Sequence, residues 1–290
     1  MKIRILSLGA ALAALTITAP ASAEPLELSP SSNWHLEFAE DNCRLTRTFG
    51  EGDERHILFF QQTFPSDTFG LTMAGTGFTR FSPARPVLLS MGDADVRRES
   101  HPFRGEVDDF GAALIYSSIP LIEHEPDENG WQGTTLPALD KDEAGEIDFI
   151  SAKQGSREVI LRTGKLGPAI AALNTCSQDL VRAWGLDLER HRTVTRYAKP
   201  KDLAKITREI VERYPRSALR AGEQAILRMR VMVEADGSVS DCVLQDVGRS
   251  EYLQSPACEE MRKAEFEPAI DADGQPMRSY YATSVIYKIG

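Results

Sequence analysis

Two strands and the turn between them are predicted for residues 224–247, which read QAILRMRVMVEADGSVSDCVLQDV. Apolar side chains such as Met229 and Val231 alternate with polar ones, which is the pattern of a half-buried strand. Asp236-Gly237 then supplies a tight turn, because glycine tolerates the positive φ that such a turn requires. Residues 239–247 return as the second strand, so this stretch predicts an antiparallel hairpin.

The flanking segments complete a small α+β domain. Asp202 can cap a helix with one apolar face, and that helix should end before Pro215, since the residue before a proline avoids helical angles. A second helix is predicted from about Ser255, and a final strand over 279–289, which is rich in Tyr, Val, Ile and Thr. The order helix, strand, strand, helix, strand predicts an antiparallel sheet with helices on one face.

This layout resembles the C-terminal domain of TonB-type energy transducers over about residues 200–290, under a third of the chain. The matching positions follow in the family's order and spacing: Tyr214-Pro215, Gly222, the strand 226–233, Asp236-Gly237-Ser238-Val239, the helix 256–264, Phe266-Glu267-Pro268-Ala269 and Asp273-Gly274-Gln275-Pro276. The residues that identify the fold also have structural explanations as a helix stop, a bend, a turn and core anchors: Tyr214, Pro215, Gly222, Asp236, Gly237, Phe266 and Pro268.

The resemblance implies a binding module without catalysis. In the family, the sheet edge captures an extended peptide of an outer-membrane transporter by adding a strand, so that main-chain hydrogen bonds hold the peptide. By analogy the last strand is the candidate edge, and the candidate binding residues are Tyr280, Tyr281, Thr283, Val285, Tyr287 and Ile289. The alternative is that the first domain, or a second copy in a homodimer, covers this edge.

The first 23 residues have the pattern of a secretory signal peptide. Lys2 and Arg4 precede an apolar run over 5–18, and Ala21-Ser22-Ala23 forms a small-residue cleavage site. The run is shorter than the ~20 apolar residues of a membrane-spanning helix. We therefore expect cleavage after Ala23 and a periplasmic protein of the cell envelope, with an uncleaved membrane anchor as the alternative.

Residues 24–188 are expected to form a mainly-β, sandwich-like accessory domain, which places the whole chain in the α+β class. Short runs of strand-forming residues alternate there with Gly, Pro and Asp clusters. One helix is predicted over 168–184, with proline in its first turn, an apolar stripe, and Gly185 as its cap. Residues 190–201 contain five basic side chains and no acid, so we interpret 189–201 as a basic linker before the domain at 202–290, with a basic binding patch as the alternative.

Charge and cysteine content restrict the class of partner and site. The chain has 33 basic and 43 acidic residues and a net charge of −10, which argues against nucleic acid or anionic lipid as the main partner. An even number of cysteines in an oxidising compartment favours disulfides. Pairing within domains predicts Cys43–Cys176 and Cys242–Cys258. The alternative, a four-thiolate metal site, is disfavoured because the sequence lacks a C-x-x-C pair.

No residue pattern indicates a metal, a cofactor or a catalytic set. The five histidines are scattered, and no nucleophile motif is present. The leading hypothesis is a periplasmic protein that binds an envelope protein or extended peptide by strand addition and catalyses nothing. The first alternative is a genuine energy transducer for outer-membrane transport with an uncleaved anchor, although the long proline-rich spacer of such proteins is missing. The second alternative is an envelope hydrolase with its site in the N-terminal domain.

Overall fold

The fold belongs to the α+β class, as predicted, with most strands gathered into several sheets. A computed structural model describes residues 24–93, 95–122, 136–222, 225–246 and 255–287. The expected signal peptide and its cleavage site, in residues 1–23, and the candidate binding residue Ile289 lie outside these ranges. Among the residues described, no helix has the length and apolar character needed to cross a membrane.

The N-terminal lobe, residues 24–187, contains two sheets. Its strands are β1 Leu26–Leu28, β2 His35–Ala39, β3 Asn42–Phe49, β4 His56–Gln62, β5 Thr68–Gly75, β6 Val87–Met91, β7 Arg98–Ser100, β8 Phe103–Val107, β9 Gly111–Pro120, β10 Ile150–Gln154 and β11 Arg157–Leu161. One sheet is antiparallel and has the order β2-β3-β4-β5-β9-β8. The other has the order β1-β11-β10-β6-β7, in which the β1–β11 pair is parallel. The region is mainly β, as its strand-forming runs predict.

One hydrophobic core lies in this lobe and takes side chains from both sheets. Leu58 and Phe60 of β4 are fully buried in it, because their alternation with half-buried neighbours directs them to one face. Leu89 of β6 and Leu161 of β11 belong to the same core from the second sheet. Both sheets therefore bury their apolar faces in a single shared core.

Two α-helices belong to the described residues of the N-terminal lobe. The short α1, Lys141–Glu146, is capped by the carboxylate of Asp140. The longer α2, Gly167–Ala183, packs its apolar stripe into the shared core and ends before Gly185, whose φ of +72° makes it the left-handed cap that the sequence predicts. A disulfide between Cys43 and Cys176 fastens α2 to β3, which is the predicted pairing.

The segment 189–201, predicted as a basic linker, contains regular elements and buried residues. It includes most of helix α3, Leu188–Arg192, and the two-residue strand β12, Lys199–Pro200. His191 and Val194 are fully buried. Basic side chains dominate the composition of this segment, while a few isolated residues between them turn into the core without producing a periodic pattern.

The C-terminal lobe, residues 188–287, is built around a three-stranded antiparallel sheet of β13 Ala225–Val233, β14 Val239–Asp246 and β18 Ser279–Tyr287, in the order β14-β13-β18. Its further elements are α4 Leu203–Glu212, α5 Arg216–Ala221, α6 Ala257–Lys263, β15 Phe266–Glu267, β16 Ala269–Ile270 and β17 Pro276–Met277. Asp202 caps α4 as predicted, through the amide of Lys205 at 2.9 Å. The predicted pair Cys242–Cys258 joins β14 to α6. The short α5 and the two-residue strands were not predicted.

The two faces of this sheet are covered by different parts of the chain. Met229 and Val231 of β13 lie in a core that includes Ile206 and Ile210 of α4 and Met261 of α6. The alternate residues of β13 face the N-terminal lobe. Met232, for example, packs in a cluster with Val181 of α2. The sheet therefore has helices on one face, as predicted, and the N-terminal lobe on the other.

Candidate strand-binding edge

The candidate edge strand β18 is the last strand of the C-terminal sheet. It pairs with β13 along nine residues, from Ser279 opposite Val233 to Tyr287 opposite Ala225. In the part of the chain that the structure describes, no strand pairs with its other side. The main-chain groups on that side are therefore arranged as an unpaired sheet edge.

The side chains of one set of candidate residues point to the helix-covered face. Tyr281 packs against Phe266 with ring centroids 5.6 Å apart, and Tyr287 packs against Tyr214 at 4.9 Å. The Tyr287 hydroxyl also lies 3.0 Å from the Ser255 hydroxyl. Burial raises the pKa of both Tyr281 and Tyr287. Thr283 and Val285, also predicted as binding residues, are half-buried on this face.

Tyr280 points to the opposite face and is buried between the lobes. Its ring meets Trp184 edge-on, with centroids 5.1 Å apart, and stacks on His191 at 6.1 Å. Burial raises the pKa of its hydroxyl well above the ordinary value. The candidate residues of β18 are thus anchored by their side chains on both faces, which leaves the main chain of the strand as the accessible binding element.

The fold-identifying residues hold the sheet and its turn in place. Gly237 has a φ of +85° and donates its N–H to the Glu234 carbonyl at 2.9 Å. The Asp236 carboxylate accepts hydrogen bonds from the hydroxyl of Ser238 at 2.6 Å and from the amide of Ser238 at 2.9 Å, and these bonds lower the pKa of the carboxyl group. The Phe266 amide donates to the Gly237 carbonyl at 3.2 Å. The turn is thereby hydrogen-bonded to the segment that follows α6.

Residues 211–289 match the family model described as Gram-negative bacterial TonB protein C-terminal. The match confirms the resemblance seen in the sequence and leaves the N-terminal lobe outside it. A search of curated proteins found no match to this chain. The C-terminal lobe therefore contains a TonB-like domain.

The TonB-like domain is joined to the N-terminal lobe by two arginines of β13. Arg230 lies 2.9 Å from Asp41 and its guanidinium stacks over the Trp184 ring at 4.4 Å. Arg228 is buried against β5, where a β-carbon on Gly70 would come within 2.0 Å of its guanidinium. Sequence reasoning missed both residues, although the regular placement of two arginines within an apolar strand was a usable signal.

One buried pair has the spacing of a nucleophile and its base. The Nε2 atom of His191 lies 3.0 Å from Oγ of Ser279. Both residues are fully buried, and Nδ1 of His191 contacts the main-chain oxygen of Asp187 at 2.6 Å rather than a carboxylate. Burial lowers the pKa of His191, so the ring is neutral and Nδ1 donates to that oxygen. The pair connects α3 to β18 and has no substrate access.

His56 is also fully buried, and main-chain groups contact both nitrogens of its ring. Its Nδ1 lies 2.7 Å from the Glu54 carbonyl, and its Nε2 accepts from the Gly77 amide at 3.0 Å. Burial lowers its pKa, which keeps the ring neutral. Across the described ranges, no three His, Cys, Asp or Glu side chains are grouped so that they could hold a metal ion.

Proposed function

We propose that this chain is a periplasmic binding protein, released after cleavage behind Ala23, whose TonB-like domain binds an extended segment of an envelope protein along β18. The observation that carries the proposal is the unpaired side of β18 within the described residues, opposite its nine-residue pairing with β13. A strand added there would be held by main-chain hydrogen bonds. An outer-membrane transporter segment is the partner that the family resemblance favours.

The rigidity of β18 supports strand addition. Tyr280 on one face and Tyr281 and Tyr287 on the other are packed against aromatic neighbours. A strand fixed on both faces loses little conformational entropy when a second strand pairs with it, so more of the interaction energy appears as affinity. Selectivity would then depend on side chains of the incoming segment and on the groups beside the edge.

The contacts between the lobes favour a fixed binding protein over a transducer on a mobile spacer. Arg230 with Asp41 and Tyr280 with Trp184 hold the TonB-like domain against the N-terminal lobe. We propose that residues 24–187 act as the platform of this domain. Sequencing the mature N-terminus separates the alternatives: Glu24 as the first residue supports release, and Met1 supports a membrane-anchored transducer.

Strand addition can be tested by NMR with transporter-derived extended peptides and the mature protein. We expect amide shifts concentrated in residues 279–287, with smaller changes in β14 at the opposite edge. A peptide N-methylated at every second residue, on the amides that face β18, should lose binding because its donors are blocked. The same peptide methylated on the alternate residues is the matched control and should still bind, since those amides point away.

Three outcomes would contradict the proposal. The first is a lack of amide shifts in 279–287 with any peptide tested, and the second is shifts restricted to β14. The third is a change of the amide shifts of 279–287 with protein concentration in the absence of peptide, accompanied by dimers in sedimentation experiments. A second copy of the chain would then occupy the edge.

A further inference from the structure

A small polar pocket lies where the two lobes meet, next to the middle of β18. Its volume is about 30 Å³. Ser117 of β9 and Gly70 of β5 line it from the N-terminal lobe, and Arg228 and Ser284 line it from the TonB-like domain. Arg228 and Ser284 are also opposite each other in the β13–β18 pairing. The pocket is therefore formed only when both lobes are in contact.

The guanidinium of Arg228 is the unusual group in this pocket. The residue is only 6% exposed, and its Nη1 has no hydrogen-bond partner among the described residues. Burial, and then the charge of Arg44, lower its pKa to about 10, so the group is still protonated at neutral pH. An uncompensated buried charge is costly, and this favours an anionic partner.

The neighbouring charges do not provide that partner. Arg230 is paired with Asp41 at 2.9 Å, and Arg44 lies 4.0 Å from Glu37. No acidic side chain is among the residues that line the pocket in the described part of the chain. The net charge around Arg228 is therefore positive inside an acidic protein.

The walls of the pocket are built to keep space beside the guanidinium. The pairing register of β5 and β9 shifts between Phe69 and Leu71, so that Ser117 and Ser118 of β9 form a β-bulge opposite Gly70. Any larger residue at this position would displace the Arg228 guanidinium, because a β-carbon would lie 2.0 Å from Nη2. The side-chain Nε2 of Gln62 donates hydrogen bonds to the main-chain carbonyls of Ser66 and Thr68, at 2.8 and 3.0 Å. These bonds fix the loop that borders the pocket.

We propose that this Arg228 pocket binds one carboxylate group, held by the guanidinium of Arg228 and by the hydroxyls of Ser117 and Ser284. A volume of 30 Å³ is room for about two water-sized groups, which suits the two oxygens of a carboxylate. The planar fork of arginine matches a carboxylate in geometry as well as in charge. The carboxylate comes from a free small acid or from an acidic side chain of a strand docked on β18.

The probe for this site is sodium formate, added to the mature protein and followed by NMR. We expect a saturable shift of the Arg228 Nε–H signal and of the Ser284 amide, with sodium chloride of equal ionic strength giving no saturable shift. Arg228→Met should weaken formate binding at the Ser284 amide by about tenfold or more, because a charge-assisted pair is lost. Arg208→Met, at an exposed site on α4, is the charge-matched control and should bind formate like the unmodified protein.

Two further variants protect the test against misfolding of Arg228→Met. Arg228→Lys keeps the charge but loses the fork, and Gly70→Ala keeps the arginine but displaces its guanidinium, because the new β-carbon would lie 2.0 Å from Nη2. Both should weaken formate binding. The site is disproved if formate causes no saturable shift, if chloride reproduces it, or if these variants bind formate as well as Arg208→Met does.

A competition experiment distinguishes the two sources of the carboxylate. If formate displaces a β18-binding peptide that contains Asp, but not the same peptide with Asn, the docked strand supplies the group. If formate binds without affecting the peptide, a free acid supplies it. Formate binding in the absence of any peptide supports the pocket even if strand addition fails, so the two proposals can fail separately.

Discussion

Arg230 of β13 lies 2.9 Å from Asp41, in the turn between β2 and β3, and this contact connects the TonB-like domain to the N-terminal lobe. The contact is an ion pair rather than an aligned hydrogen bond. The Arg230 side chain is 14% exposed and that of Asp41 26%, so water screens the pair only in part. It therefore stabilises the relative position of the lobes more than a surface pair would.

We predict that Asp41→Asn lowers the free energy of unfolding by about 1–3 kcal/mol, because Arg230 then keeps its charge in a largely buried site without an acidic partner. Urea denaturation measures the loss. Asp142→Asn is the matched control, since the Lys141–Asp142 pair has side chains 61% and 86% exposed and should contribute much less to stability than the interlobe pair. Equal losses in the two variants would show that the interlobe pair has no special role.

Trp184→Ala should uncouple the unfolding of the two lobes. The Trp184 ring centroid lies 5.1 Å from that of Tyr280 and 4.4 Å from Cζ of Arg230. Removal of the indole therefore deletes an aromatic and a cation–π contact at once. We expect the free energy of unfolding to fall by about 2–4 kcal/mol, and we expect two unfolding steps where the unmodified protein shows one. Hydrogen exchange of amides in each lobe reports the steps separately.

Trp34→Ala is the control for this coupling. Trp34 packs on Phe60, with centroids 5.7 Å apart, inside the N-terminal lobe. Its removal should destabilise that lobe without separating the two transitions. If the lobes of Trp184→Ala still unfold together, their coupling depends on other contacts.

Gly237→Ala should be more damaging than Gly274→Ala, although both glycines have a left-handed backbone. A β-carbon at Gly237 would lie 2.3 Å from the Phe266 carbonyl oxygen, whereas at Gly274 nothing lies within 4 Å. We expect Gly274→Ala to lower the free energy of unfolding by about 1 kcal/mol, from the backbone conformation alone. Gly237→Ala should lower it by at least about 1 kcal/mol more, because the main chain must shift there. Equal losses of unfolding free energy would mean that the Gly237 turn is loosely packed.

Stability should fall as the pH decreases below about 6.5, the ordinary pKa of histidine. Burial lowers the pKa of His56 and His191 in the folded state, so the unfolded chain takes up their protons first and acid favours unfolding. The slope should approach about 1.4 kcal/mol per pH unit for each histidine. Urea denaturation from pH 7.5 to 5 tests this, and replacing both residues with Gln should remove most of the slope. If the stability of the unmodified protein does not change over that range, His56 and His191 do not have lowered pKa values in the folded state.

Features with local causes were predictable from the sequence. The turn at Gly237, the cap at Asp202 and the end of α2 at Gly185 each depend on backbone conformations that a few adjacent residues determine. The order of elements in the C-terminal lobe followed from these signals, and the family match agrees with it. The division of cysteines between two lobes was enough to predict Cys43–Cys176, although the pair is separated by 133 positions.

Predictions that depended on distant contacts were less complete. Residues 189–201 contain buried His191 and Val194, but their composition is that of a surface segment. The candidate binding residues of β18 share one edge strand, yet most of their side chains are committed to packing, which only the neighbours across each face reveal.

The sequence by itself determined a β-hairpin, its flanking helices and a TonB-like sheet, because turn, cap and alternation signals act over a few residues. Only the tertiary structure decided what covers the second face of that sheet. Alternation along β13 shows that Arg228 and Arg230 share a face, but it does not show that Asp41 and Gly70, far away in the chain, lie against them. Burial and charge pairing depend on those distant surfaces, and they determine which groups around β18 remain available to a partner.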